Sequence, residues 1–128
     1  MLEETAAAGL PEAMHHLGID LIDEGHTRRG RELVAAACNQ GYALAWSVLG
    51  DWLEDGTLGE PDLVLARAAF TAAAAVEEIA AADLAIMWRD GVGGPADANE
   101  ARRWYDQAAR LGYDWSDDDR WRTRRRRA

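Results

Sequence analysis

No stretch of this chain alternates apolar and polar residues with period two. Ala- and Leu-rich segments of about a dozen residues, the usual length of globular helices, are instead set apart by Gly and Pro: Gly9-Leu10-Pro11, Gly25, Gly41, Gly56 to Pro61, Gly91 to Pro95 and Gly112. β-Branched residues are sparse, so helix is the regular structure this pattern supports. The spacing predicts helices near 11–24, 27–40, 42–54, 62–75, 77–90 and 97–111, with a further helix near 116–126. Pro11 suits a first helical turn, where its missing N–H costs nothing. Thr27, Asp62 and Asp97 are candidate N-caps. The glycines fall where helices end, and glycine tolerates the left-handed conformation used there.

The chain matches itself at an offset of 35 residues. Ala45 falls on Ala80, Leu49 on Leu84, Asp55-Gly56 on Asp90-Gly91 and Gly59 on Gly94. Asp62 falls on Asp97, Ala66-Arg67 on Ala101-Arg102, and Ala73-Ala74 on Ala108-Ala109, with Phe70 on Tyr105. A shorter, degenerate copy precedes these. Gly9 to Ala13 aligns with Gly41 to Ala45, and Leu17-Gly18 with Leu49-Gly50, with an inter-helix loop about five residues shorter. A period of this size marks stacked helical hairpins, none able to bury its apolar face alone. The expected fold is an all-α, α/α superhelical solenoid of three hairpins, at about 9–41, 41–76 and 76–112. A capping helix and Arg-rich tail would follow at 113–128, giving one domain over residues 1–128.

The third copy reads Ala80, Leu84-Ala85, Trp88, Gly91-Val92-Gly93, Asp97, Ala101, Trp104-Tyr105, Ala108-Ala109 and Gly112. It resembles the Sel-one-like repeat, a relative of the tetratricopeptide repeat, most specifically between Asp90 and Gly112. The second copy keeps Leu49-Gly50, Gly56, Asp62, Ala66, Phe70 and Ala73-Ala74. The resemblance covers about residues 6–112. It implies a non-catalytic adaptor that binds another protein and needs no cofactor. One branch of the family is secreted and carries paired cysteines in each repeat. This chain has a single cysteine, Cys38, and departs from that branch.

Composition adds a polarity of charge. The 23 acidic residues are opposed by 14 Arg, and there is no Lys. Residues 1–119 hold 8 of those Arg against all 23 acids, a balance of −15, and six Arg follow between 120 and 127. A body this acidic repels a nucleic-acid backbone, so nucleic acid is an alternative partner through the tail only. No basic start leading into an apolar run marks a secretory signal, and no segment is apolar for the roughly 18 residues of a membrane span. The expected location is the cytoplasm. The Arg-for-Lys usage and abundant Ala point to a GC-rich bacterial source.

Candidate chemistry is thin. Gly91-Val92-Gly93-Gly94 follows no strand and precedes no Lys, so it reads as a hairpin loop rather than a phosphate cradle. Cys38 lies in a packing stretch and reads as a buried thiol. Glu12, His16 and Asp20 share a helix face and form either a metal or acid–base cluster or an exposed polar stripe, the latter favoured.

Partner binding is the better lead. In tetratricopeptide-like stacks the first helix of each hairpin lines the concave face. Taking Gly18, Gly50 and Ala85 as equivalent points places His15, Ile19 and Ile22 there from copy one. Ser47, Asp51 and Glu54 come from copy two, and Ala82, Ile86 and Arg89 from copy three. That mixture suits a segment with a basic, apolar face, and the alternative is a plain solvated surface. The tail divides likewise. Acids at 117–119 followed by Arg120 to Arg127 complement a helix dipole and allow Asp118–Arg122 pairing, which favours a cap carrying Trp115 and Trp121. The alternative is an anionic contact, nucleic acid or an acidic protein surface, through Arg122, Arg124, Arg125, Arg126 and Arg127.

Overall fold

The computed structural model describes residues 9–122. Six α-helices occur among them: α1 Pro11–Asp23, α2 Thr27–Asn39, α3 Ala43–Asp55, α4 Leu63–Ala73, α5 Glu78–Asp90 and α6 Ala98–Arg110. No strand occurs among the described residues. The helices pair as α1 with α2, α3 with α4 and α5 with α6, and successive hairpins meet through α2 with α3 and α4 with α5. This is the all-α repeat solenoid that the 35-residue period predicts.

The helix ends follow the repeat. Asp62 caps α4 by accepting from the Leu65 amide at 3.0 Å, and Asp97 caps α6 through Asn99 and Glu100 at 2.9 and 3.1 Å. Gly56 and Gly91 close α3 and α5 with φ of 82° and 71°, left-handed values that favour glycine. Thr27, in contrast, is the first helical residue of α2, and His26 precedes it without a side-chain cap. Glu77 caps α5 instead of a short polar residue, accepting from the Ile79 and Ala80 amides.

Small residues set the distance within each hairpin. A Cβ on Gly18 would lie 2.6 Å from Val34 Cγ2 and 2.8 Å from the Gly30 carbonyl oxygen. One on Gly30 would meet the Gly18 carbonyl at 2.6 Å. Helices α1 and α2 therefore cross almost backbone to backbone. In the second hairpin Gly50 leaves room for the Phe70 ring, which is fully buried. Two apolar cores result. Ala13, Met14, Val34, Ala37, Cys38 and Ala45 fill the first, and Ala66, Phe70, Ala80, Leu84, Met87 and Ala108 are among those filling the second. Trp46 packs against both and joins them.

One contact ties adjacent hairpins together. Arg67, buried on α4, donates to the carbonyls of Val92 and Pro95 at 3.2 and 3.0 Å, and its guanidinium lies 3.5 Å over the Trp88 ring. The second hairpin thereby holds the inter-helix loop of the third. Trp88 and Trp104 pack against the second core, as their repeat positions predict.

The expected helix at 116–126 is not formed over its described part. Residues Trp115–Asp117 make one 3-10 turn, and turns follow to residue 122. Asp114 accepts from the Ser116 amide and hydroxyl, and Asp118 accepts from the Arg120 amide. These local side-chain bonds compete with helical ones. The Asp118–Arg122 pair is replaced by Asp118–Arg120 at 2.8 Å and Asp119–Arg122 at 2.9 Å.

Candidate functional site

The first helices of the hairpins, α1, α3 and α5, carry the predicted partner-binding residues, and these fall into unlike environments. His15, Ala82 and Ile86 are buried. They are packing residues, because the face expected to be open turns inward at these positions. His15 lies against the Tyr42 ring, 5.2 Å between centroids, and its Nδ1 has no hydrogen-bond partner among the described residues. Burial, reinforced by neighbouring His16, holds its pKa below the usual value and keeps it neutral. Ile19 and Ile22 are half-buried. Ile22 Cγ1 lies against Gly30, inside its own hairpin.

Copy two supplies the accessible part. Asp51 and Glu54 are exposed, and the half-buried Ser47 donates to Glu77 Oε2 at 3.1 Å, linking α3 to the start of α5. Partial desolvation pushes the Asp51 carboxyl up to about 6, helped by the negative charge of Asp83, Glu54, Asp55 and Glu77. Five carboxylates thus gather on the α3–α5 face. Asp83, most of the way into the protein, is also raised by burial, against the pull of Arg120. Asp83 and Glu77 were not among the predicted site residues. Their signal, Asp and Glu at non-core positions of a first helix, is too common to single them out.

The segment after α6 lies on this same face. Arg120 donates to Asp83 Oδ1 at 2.8 Å and to Asp118, whose carboxyl it holds well below the usual carboxylate range. Arg89 of α5 donates to the backbone carbonyls of Arg120 and Trp121 at 2.5 and 2.6 Å and pairs with Asp90 at 2.9 Å. Trp115 stacks on Tyr105 with 4.4 Å between centroids and donates its indole N–H to the Tyr105 carbonyl. Trp121 lies 4.5 Å from the same ring. The segment covers the last hairpin through Trp115 and Trp121 as expected, but as turns. Arg122 is exposed and paired with Asp119. Arg124, Arg125, Arg126 and Arg127 lie outside the described residues.

A second concavity of about 730 Å³ opens between α2 and α4, lined by Trp46, Leu49, Leu53, Leu65 and Ala69 with Glu32 at its edge. It is mainly apolar, and the repeat pattern gave no sign of it. Among the described residues no group of three or more His, Cys, Asp or Glu side chains is placed to hold a metal ion. Glu12 and His16 approach to 3.8 Å on an exposed stretch of α1. Cys38 is buried, and desolvation pushes its thiol up to about 11. No described helix is long and apolar enough to cross a membrane.

No protein-family model and no curated protein matches the sequence. Among solved structures the chain is similar to a Sel1 repeat protein from Oxalobacter formigenes, with a TM-score of 0.80 and 26% identity over 87% of this chain and 88% of that one. It is also similar to a protective antigen present in uropathogenic Escherichia coli strains, which displays an SLR fold. There the TM-score is 0.79 and the identity 26%, over 88% of this chain and 25% of that chain. The chain has the Sel1-like repeat fold, a helical-repeat architecture that generally mediates protein–protein interaction.

Proposed function

We propose that this Sel1-like repeat chain is a non-catalytic adaptor whose concave, first-helix face binds a segment of another protein, and that the segment is basic. The seat of Arg120 on Asp83 carries the reading: the acidic face already accepts a guanidinium supplied by a run of turns outside the helices. Ile19 continues the face toward the first hairpin with half-buried apolar surface. Asp51 and Glu54 supply charge between it and Asp83. A helix or strand presenting Arg beside apolar residues complements that order of chemistry. His15, Ala82 and Ile86 support the face from beneath.

The test is a display screen of random peptides against the intact chain, with binding of selected peptides measured by fluorescence anisotropy. Selected sequences should be enriched in Arg or Lys beside apolar residues. Asp51→Asn with Glu54→Gln should weaken them by roughly tenfold, as expected when two or three exposed charge pairs are lost. Peptides with no basic preference, or binding untouched by the double substitution, would overturn the reading.

A further inference from the structure

The apolar groove between α2 and α4 lies where the repeat copies differ, which is why their shared pattern gave no sign of it. We propose that it docks an amphipathic helix of another protein, one with large apolar side chains on one face and acidic residues beside them. The groove belongs to the second helices of the hairpins, and its occupancy does not depend on the first-helix reading above.

The next junction shows what fills the equivalent space. There Trp88 and Trp104 pack against the core, and the Arg67 guanidinium lies over Trp88. At the offset of 35 residues Leu53 stands for Trp88 and Ala69 for Trp104. Trp46, in place of Ala81, returns one indole and lines the groove. Val34 meets Gly18 as Phe70 meets Gly50, so Arg31 stands on α2 where Arg67 stands on α4. Arg67 is buried under the following loop. Arg31 is exposed at the edge of the groove and makes no hydrogen bond or ion pair among the described residues.

Gly93 accounts for the difference between the loops. A Cβ there would run into the Leu63 carbonyl oxygen, so glycine lets the loop of the third hairpin lie on the start of α4. Leu58 holds the equivalent position in the second hairpin. Its side chain keeps that loop off α2: a Cβ on Gly59 would meet nothing within 4 Å, whereas one on Gly94 would press on Arg67. The result is a groove of about 730 Å³ with Leu49, Leu53, Leu58 and Leu65 among its walls.

Length and charge define the occupant. From Leu65 to Ala72 the α4 wall is about 10 Å long at 1.5 Å per residue. That length receives side chains at i, i+4 and i+7 of one helix. The outer face of α4 continues the apolar surface, since Leu63 and Val64 are exposed and Arg67, the one charged residue of this helix, is buried. Arginines stand on the second helices to either side. Six of the eight Arg of residues 1–119 are exposed on α2 and α6: Arg28, Arg29, Arg31, Arg102, Arg103 and Arg110. Of the acids at the groove, Glu32 pairs with Arg28, Asp62 caps α4, and Glu60 stands at the loop end. A helix with acids along the α2 flank complements this order.

The experiment follows the methyl signals of Leu49, Leu53 and Leu65 by NMR as a helical peptide is added. The peptide carries Trp, Leu and Leu at i, i+4 and i+7, with Glu on both sides of that stripe. A second version has Lys for every Glu. The Glu peptide should move all three methyls, leave Ile19 and Asp51 in place, and bind several-fold more tightly than the Lys peptide. Ala69→Trp restores an indole of the filled junction and should weaken binding by roughly tenfold or more, because one large side chain loses its place. Leu65→Glu, at an exposed wall position, should weaken it similarly and carries the test where Ala69→Trp fails to fold. Arg31→Glu should narrow the preference for the Glu peptide about three- to fivefold. A Glu peptide that moves none of the three methyls overturns the proposal, as does binding unchanged in Leu65→Glu or a preference for the Lys peptide. Movement of Ile19 or Asp51 in place of Leu53 also overturns it, by putting the peptide on the first-helix face. Methyl shifts that follow chain concentration alone identify a second copy as the occupant. Anionic vesicles that broaden these methyls where the peptide moves none identify a membrane surface. Either result overturns the docked helix and leaves the basic-segment reading standing.

Discussion

Replacing Gly18 by Ala sets two effects of opposite sign against each other within one residue. Ala is the better helix former by about 1 kcal/mol, and Gly18 sits mid-helix in α1 outside the positive-φ region, so the backbone tolerates a side chain. Space does not. The added Cβ would approach Val34 Cγ2 to 2.6 Å and the Gly30 carbonyl oxygen to 2.8 Å, where ordinary contacts run 3.4–4 Å. One of the two neighbours is backbone, so relief requires α1 and α2 to move apart by more than half an ångström. Overpacking of this kind costs roughly 1–3 kcal/mol, and a backbone obstacle belongs at the upper end. The net expectation is a loss of about 2 kcal/mol. Gly50→Ala is the comparison, because there the obstacle is the Phe70 side chain, 2.8–2.9 Å from the added Cβ, and no backbone, and the third hairpin already carries Ala85 at the equivalent position. That substitution should cost less than Gly18→Ala, about 1 kcal/mol after the gain in helix propensity.

Repeat arrays loosen hairpin by hairpin, so hydrogen exchange is the suitable assay. Gly18→Ala should lower protection of α1 and α2 by about thirtyfold, the equivalent of 2 kcal/mol, and leave α5 and α6 nearly unchanged. Gly30→Ala should do the same, since its Cβ would meet the Gly18 carbonyl at 2.6 Å. One separation of the helices relieves both clashes, so the double variant should cost less than the two singles together by 0.5 kcal/mol or more. Increased protection in Gly18→Ala, or strict additivity in the double variant, would refute the backbone-to-backbone crossing.

Arg67→Met should destabilise by about 2 kcal/mol in urea unfolding, because the Val92 and Pro95 carbonyls lose their donor and Trp88 its cation. Arg102→Met at the equivalent exposed position, paired with Asp106 and laid over Tyr105, should stay within about 0.5 kcal/mol. Cys38 should react with a thiol reagent at neutral pH only as fast as the first hairpin opens. A rapid reaction in the native state would contradict a buried thiol held near about 11. On the acid side, the Asp118 carboxyl is depressed by Arg120. Its contribution should be complete above the ordinary carboxylate pKa of about 4 and be lost as pH falls through the lower folded value. Fluorescence of Trp115 and Trp121 should therefore report release of the C-terminal segment only at pH below the usual carboxylate range.

The hairpins were legible because punctuation and period agree. Gly56 and Gly91 end helices at the same repeat position, Asp62 and Asp97 begin them, and the shortened loop of copy one becomes the short turn at 24–26. The Glu77 cap was not legible, because Glu seldom replaces Asp or Ser there. The C-terminal segment misled for a related reason. Acids ahead of bases imitate a helix with a favourable dipole, yet the same Asp side chains bind backbone amides two residues on and stabilise turns. The exposure of the first-helix positions was half legible. Equivalent positions leave Asp51 and Glu54 exposed but bury His15, Ala82 and Ile86, because helix phase is set by contacts such as Ile22 on Gly30 that the period does not encode.

Arg67 and Arg102 occupy one repeat position with two fates, and the contrast explains why the C-terminal segment takes the form it does. Arg67 is buried because the loop of the following hairpin wraps over it. No following hairpin covers Arg102 among the described residues, and Tyr105, the equivalent of buried Phe70, would be left with an open face. Trp115 and Trp121 close that face by direct ring contact. Two indoles on a short run of turns give the last hairpin its apolar cover, while the polar edge of the run delivers Arg120 to Asp83. A full helix over 116–126 would spread its side chains around a cylinder. Turns fixed by Asp114 and Asp118 let one short stretch present aromatic groups to α6 and arginine to α5. The residues that stabilise the last described hairpin are therefore also the ones that bring Arg120 to the acidic face.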